Sequence, residues 1–291
     1  MTRPDPPAFP TVGAALEWAH RELTGSDAGP LEARALLAHL QRQPACWVLA
    51  HPELPFPPHL SERYIALIRR VRTGEPLPYL TGVQEFHGLE FEVTPDVLIP
   101  RPETELLVDT ALAWLAERPA EKPAVRMVDV GTGSGCIAAV LAMRRPDISI
   151  IATDISPAAL AVAARNFARH GVGGRIRTVQ ADLLAPLRGP IDLLCANLPY
   201  CLSGVLEGLP VIRWEPRRAL DGGADGLGLI RRALIQSAAR MAGDGVALFE
   251  IDAAHAAAAR ELAGASFPRA AITAEKDLAG ADRLLVIRTI N

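Results

Sequence analysis

Residues 128–138 read VDVGTGSGCIA: an apolar run, glycines at 131, 133 and 135, then small apolar residues fit to open a helix. A strand that passes into a helix through alternating glycines must turn tightly and leave its backbone open to a ligand. The spacing is GxGxG, shorter than the GxGxxG of dinucleotide binders. It suits a ligand without a pyrophosphate, in which an amino acid and a nucleoside lie against the loop. A glycine loop alone is equally a tight turn and nothing more, so its surroundings decide.

From Val125 onward, apolar strands alternate with amphipathic helices. The strands are VRMVDV, ISIIATD, IRTVQAD, IDLLCAN, GVALFEI, AAITAE and RLLVIRTI. That alternation predicts an α/β fold: a doubly wound, mostly parallel seven-stranded sheet with helices on both faces. The last two strands are joined by KDLAGAD, too short for a crossover helix, and should pair antiparallel at one edge. Upstream, VGAALEWAHREL, LEARALLAHLQRQ and SERYIALIRRVR carry apolar residues three and four apart. They predict a small helical domain over residues 1–74. Residues 75–100 read as a hairpin-like linker, with alternation in GLEFEV and turn residues His87-Gly88. The main domain then runs from 101 to 291. It opens on a helix whose first turn suits Pro102, Glu103 and Glu105.

The chain has 291 residues, 49% hydrophobic and 22% charged, with net charge −3. This is the composition of a soluble globular protein. No apolar stretch is long enough to span a bilayer, and MTRPDPPAFP has no secretory pattern. Cys46, Cys136, Cys195 and Cys201 form no CxxC pair. They read as buried free thiols of a cytoplasmic enzyme, with no metal site. The acidic balance and the lack of a basic stripe lean against direct nucleic-acid binding.

Parallel strands deliver four features to the carboxyl edge of the sheet, where open α/β folds bind ligands. The first is the glycine loop. Asp154 follows about 20 residues later, placed to accept both ribose hydroxyls; it or Ser156 equally suits the N-cap of the next helix. Asp182 ends another strand and fits either an adenine amino group, with Leu183 packed on the ring, or a solvated loop. The fourth is CANLPYC, residues 195–201. Asn197 brings a side-chain carbonyl, the residue before Pro199 brings a backbone carbonyl, and Tyr200 adds a flat face. Two acceptors can hold both hydrogens of an NH2 group and aim its lone pair. That suits alkylation of a planar nitrogen.

In this order the four elements resemble the class I methyltransferases that use S-adenosyl-L-methionine. Asn197-Leu198-Pro199-Tyr200 is similar to the Asn-Pro-Pro-Tyr motif of those that methylate planar nitrogens. The stretch GEPLPYLTGVQEFHGLEFEVTPDVLIPRPETELLV resembles the linker of the peptide-chain release factor glutamine methyltransferases. EPRRALDGGADGLGLIRRAL and KDLAGADRLLVIR are similar to that family's later segments. The resemblance implies methyl transfer to the glutamine side-chain nitrogen (N5) in the Gly-Gly-Gln motif of class 1 release factors, which would be the protein partners. It implies that Gly131, Thr132, Gly133, Ser134 and Gly135 hold the methionine part of the cofactor. Asp154 would bind the ribose, and Asp182 and Leu183 would lie at the adenine. Asn197, Leu198, Pro199 and Tyr200 would receive the glutamine, with Asn197 also near the cofactor and Asn197, Pro199 and Tyr200 carrying the catalysis. IPRPETE (99–105) would line the approach, with Arg101 beside it and Phe86 in the core. Two residues depart from the family pattern. Leu198 stands where proline is usual, and Asn-Leu-Pro-Tyr is familiar from ribosomal RNA adenine dimethyltransferases, which keeps adenine N6 in RNA or DNA as the alternative substrate. Asp252 stands where glycine is expected.

Overall fold

The computed structural model describes residues 8–118 and 125–290. Residues 1–7, most of the MTRPDPPAFP stretch read as lacking a secretory pattern, lie outside them. The chain divides into two compact units, Met1–Val83 and Gln84–Asn291.

The first unit is helical: α1 (Val12–Leu23), α2 (Pro30–Gln41), α3 (Ala45–Ala50), α4 (Ser61–Arg72) and α5 (Leu77–Thr81). Thr11 caps α1 by accepting from the Ala14 amide at 3.2 Å. Leu36, Leu37, Tyr64 and Ile68 form the floor of its core. The Tyr64 hydroxyl, buried by that packing, donates to the Ala33 carbonyl at 3.1 Å. The short helix α3 has one buried residue, Val48, too little apolar periodicity to be legible in sequence. It also carries Cys46, which is exposed, against the expectation of a buried thiol.

The second unit begins in a hairpin, β1 (Val83–Phe86) and β2 (Leu89–Glu92), turning through His87 and Gly88, both with positive φ. The remaining elements are α6 (Glu105–Glu117), β3 (Arg126–Val130), α7 (Cys136–Arg144), β4 (Ser149–Asp154), α8 (Pro157–Arg169), β5 (Ile176–Gln180), β6 (Ile191–Ala196), α9 (Ser203–Leu206), α10 (Gly228–Ala238), β7 (Met241–Glu250), α11 (Ala256–Ser266), β8 (Ala271–Lys276) and β9 (Asp282–Arg288). The seven-stranded sheet has the order β5-β4-β3-β6-β7-β9-β8, parallel except that β9 runs antiparallel to both of its neighbours, β7 and β8.

Successive strand residues feed opposite cores. Met127, Leu193 and Leu248 face α6, α7 and α8, together with Phe86 and Phe91 of the hairpin. Val128, Leu194 and Phe249 face α10 and α11. Burial on both faces explains why these strands read as continuous apolar runs. β7 begins at Met241, four residues before the GVALFEI run read as its strand, because Met241 pairs with Ile191 across the sheet.

Candidate active site

Strand register assembles the site. Val179, Thr153, Val130, Ala196 and Phe249 lie in one row across five parallel strands. One residue further along, Asp154, Gly131, Asn197 and Glu250 stand together at the carboxyl edge. The chain reverses direction of growth between β3 and β6, so the glycine loop and the Asn197 loop adjoin at the switch point, where such folds bind ligands.

The loop from Gly131 to Gly135 is held by its surroundings. The Gly131 and Thr132 amides donate to the Thr153 carbonyl at 2.8 and 2.9 Å. All three glycines have positive φ. A Cβ on Gly131 would lie 3.1 Å from Leu198, and one on Gly135 would lie 2.6 Å from the Phe167 ring. The Ser134 carbonyl accepts from Asn166 Nδ2 at 2.8 Å, and the same amide group bonds Glu92 of the hairpin through both of its ends. Asn166 thus ties the hairpin to the loop, a link that nothing in the sequence advertises.

Two carboxylates stand beneath this loop. Asp154 accepts from the Gly133 amide through Oδ2 at 3.0 Å and from the Ser156 amide through Oδ1 at 2.8 Å. The N-cap of α8 is Ser156, which accepts from Ala159. Asp154 therefore braces the glycine loop, and its oxygens keep further lone pairs. Asp129, fully buried, was not singled out in the sequence. Its Oδ2 accepts from the Thr132 hydroxyl at 2.6 Å, and Oδ1 has no hydrogen-bond partner. Burial raises its carboxyl to about 7, against the Thr132 hydroxyl and the Ala138 amide, with the Asp154 charge raising it further.

Asp182 is exposed and accepts from Arg232 of α10 at 2.5 Å. Leu183, beside it, holds a left-handed backbone (φ 55°) and is buried among Leu184, Leu187 and Leu194. A bulky residue there is uncommon and marks a tightly constrained turn.

The fourth loop carries Asn197, Leu198, Pro199 and Tyr200. With Leu98, Arg101, Cys201, Val211, Ala219 and Leu220 they line a cavity of about 200 Å³. Leu198 itself is buried in the core on the α10 side. Asn197 Nδ2 donates to the Thr104 hydroxyl at 2.9 Å, and the Tyr200 hydroxyl donates to Glu250 Oε1 at 3.1 Å. Glu250 is buried, and burial holds its pKa above the ordinary carboxylate value; hydrogen bonding by Thr104 and Tyr200 and the charge of Arg283 lower it, and Glu103 raises it. Its Oε2 has no partner of full hydrogen-bond geometry. Burial and the Glu250 charge also push the Tyr200 hydroxyl well above its ordinary range, so Tyr200 stays a neutral donor.

Two more contacts shape the cavity. The buried Glu215 pairs with Arg101 and accepts from the Ile99 amide at 3.2 Å, tying the IPRPETE stretch to the 210–220 segment. Gly222 lies so close that a Cβ there would come within 2.9 Å of the Pro199 carbonyl and 2.7 Å of Tyr200 Cα. The DGGADG segment is thus the floor of the Asn197 loop. Glu105, expected to serve the helix dipole, also accepts from the His87 amide at 2.7 Å. Asp252 caps a short turn by accepting from the Ala254 amide. Cys195 is buried in the core, while Cys201 is partly exposed in the cavity wall.

Among the described residues, no helix is long and apolar enough to cross a membrane. Residues 14–82 match the family described as PrmC N-terminal domain, and residues 105–208 match the Methyltransferase small domain. Among solved structures, the T. thermophilus 16S rRNA N2 G1207 methyltransferase, in complex with AdoMet and guanosine, is similar in fold. It is 16% identical, with TM-score 0.53, over 71% of this chain and 49% of that one. A methyltransferase from Pyrococcus furiosus covers 71% of this chain and 91% of its own at TM-score 0.51 and 15% identity. These fix the fold. Curated relatives go further. The release factor glutamine methyltransferase of Moorella thermoacetica is 42% identical over 94% of this chain and 96% of its own length. Those of Cereibacter sphaeroides and Bordetella pertussis are 38% and 39% identical, covering 91% and 87% of this chain and 92% and 93% of theirs. Similarity of that strength, over 87 to 94% of the chain, places it in the release factor glutamine methyltransferase family.

Proposed function

We propose that this enzyme transfers a methyl group from S-adenosyl-L-methionine to the side-chain amide nitrogen (N5) of the glutamine in the Gly-Gly-Gln motif of class 1 release factors. The observation that carries the reading is the Asn197 amide: its NH2 is turned to Thr104, which leaves Oδ1 as an acceptor beside the cavity. The residues fit the cofactor. Backbone bared at three glycines, the unpartnered Asp129 Oδ1 and the spare lone pairs of Asp154 match a ligand that carries an amine and ribose hydroxyls. Gly131 to Gly135 would hold its methionine part, Asp154 its ribose, and Asp182 and Leu183 its adenine. When bound, it supplies an electrophilic methyl group.

The chain's own residues do the rest by placement. Asn197 Oδ1 and the Leu198 carbonyl accept the two hydrogens of the glutamine NH2, which turns the nitrogen lone pair toward the methyl group. Pro199 holds that carbonyl in place, and the Tyr200 ring covers the amide plane. Alignment and exclusion of water remove several kcal/mol from such a barrier. The alkylated amide nitrogen is a strong acid and sheds its proton to water, so no side chain acts as a base. Leu198 does not favour adenine, since its side chain packs in the core while its carbonyl serves the site. The helical unit would dock the protein substrate, and the cytoplasm is where that substrate works.

Asn197→Ala should lower kcat by about 100-fold or more, the cost of losing an aligned acceptor. Cofactor affinity should stay within about threefold, because the glycine loop and Asp154 are untouched. Isothermal titration and single-turnover assays read the two separately. Near-normal kcat would remove Asn197 from the mechanism.

A further inference from the structure

Behind the cavity, the turn before α6 meets the end of β7. Thr104 and Glu250 are both buried, 146 positions apart in sequence, and neither lines the cavity. Each touches one of the residues proposed to handle the substrate: Thr104 accepts from Asn197 Nδ2, and Glu250 accepts from Tyr200. We infer that Thr104 and Glu250 are positioning residues for methyl transfer, which fix the Asn197 amide with its oxygen toward the substrate and hold the Tyr200 ring against the same site. The inference rests on the glutamine reading above, and adds to it what decides which end of the Asn197 amide the substrate meets.

The polarity follows from the inventory of donors and acceptors. The Tyr200 hydroxyl donates to Glu250, as it must to a carboxylate, and the Thr104 oxygen accepts from the NH2 end of Asn197. With that end committed to Thr104, Oδ1 is what remains for the cavity. Turned over, the amide would offer NH2 to the substrate NH2. Such a misplaced acceptor forfeits alignment rather than binding. Asn197 and Tyr200 leave β6 as one loop, and Thr104 and Glu250 each hold one of them.

The test uses the full-length enzyme, a class 1 release factor and saturating S-adenosyl-L-methionine. Thr104→Val keeps the side-chain shape and removes the hydroxyl. It should lower kcat by about 10- to 100-fold while the KM for release factor and the cofactor Kd stay within about threefold. Thr104→Ser restores the hydroxyl and should return kcat to within about threefold of wild type. Glu250→Gln, which replaces the carboxylate acceptor of the Tyr200 hydroxyl with a neutral amide, should lower kcat in the same way and serves should the valine variant melt early. Wild-type kcat in Thr104→Val, or equal losses in the valine and serine variants, would overturn the inference while leaving the glutamine reading intact. A wild-type enzyme that methylates no release factor would overturn both.

Discussion

Gly135 and Gly133 separate two costs that a glycine can avoid. At Gly135 an added Cβ would strike the Phe167 ring at 2.6 Å and the backbone is left-handed; at Gly133 only the backbone matters, with no atom nearer than 3.9 Å. Gly135→Ala should therefore destabilise by about 2–4 kcal/mol and Gly133→Ala by about 1–2 kcal/mol. Urea midpoints check the order, and equal losses would show that the Phe167 contact relaxes freely. Asp129 gives a prediction with a sign. Its carboxyl is raised from 3.8 to about 7 in the folded protein, so the native state keeps a proton that the unfolded chain gives up. Its contribution to stability is complete below about pH 4, declines as pH rises to 7, and is then level. The full span is on the order of 4 kcal/mol. Asp129→Asn cannot ionise and accepts from Thr132 as before. The stability of wild type relative to this variant should fall between pH 4 and 7, as denaturation at several pH values would read. Parallel profiles would mean that Asp129 is not raised.

At the scale of elements, the loops matter less than what ties them. Glu215 joins the IPRPETE stretch to the 210–220 segment through Arg101 and the Ile99 amide, and both segments contribute cavity walls. Glu215→Ala should raise the KM for release factor about tenfold and leave the cofactor Kd unchanged, with a stability loss of about 1–3 kcal/mol for the freed partners. An unchanged KM would show that the wall does not read the substrate. The strand and helix pattern was legible because burial on both sheet faces writes unbroken apolar runs, and the glycine loop because no other residue makes that turn. Glu250, Thr104, Asn166 and Glu215 were not legible. Thr104 and Glu215 stand in stretches noted for their resemblance but nothing marked either residue, and the partners of all four lie 32 to 116 positions away. Only the register that aligns Ala196 with Phe249 brings Glu250 beside Asn197. Knowing the strand order would have exposed it, since FEI closes the strand next to IDLLCA. Asp252, two residues on, drew attention as a departure and turns out to cap a turn.

For the whole molecule, the seven-stranded sheet supplies a carboxyl edge that many methyltransferases share, and the likeness to 15–16% identical structures reaches no further than that fold. The family assignment rests on more than that sheet. The helical unit matches the PrmC N-terminal domain, and the curated relatives cover helical unit, hairpin and sheet together. Deleting the helical unit while leaving residues from Gln84 onward should preserve cofactor binding and lower kcat/KM for intact release factor by about 100-fold, if that unit docks the protein. An unchanged kcat/KM would take docking away from it. The most direct measurement is a mass spectrum of the Gly-Gly-Gln peptide from a class 1 release factor, incubated with the enzyme and S-adenosyl-L-methionine. The glutamine chemistry predicts a gain of one methylene on that glutamine, absent with Asn197→Ala. An unmodified glutamine, with label transferred instead to adenine in added RNA, would contradict it.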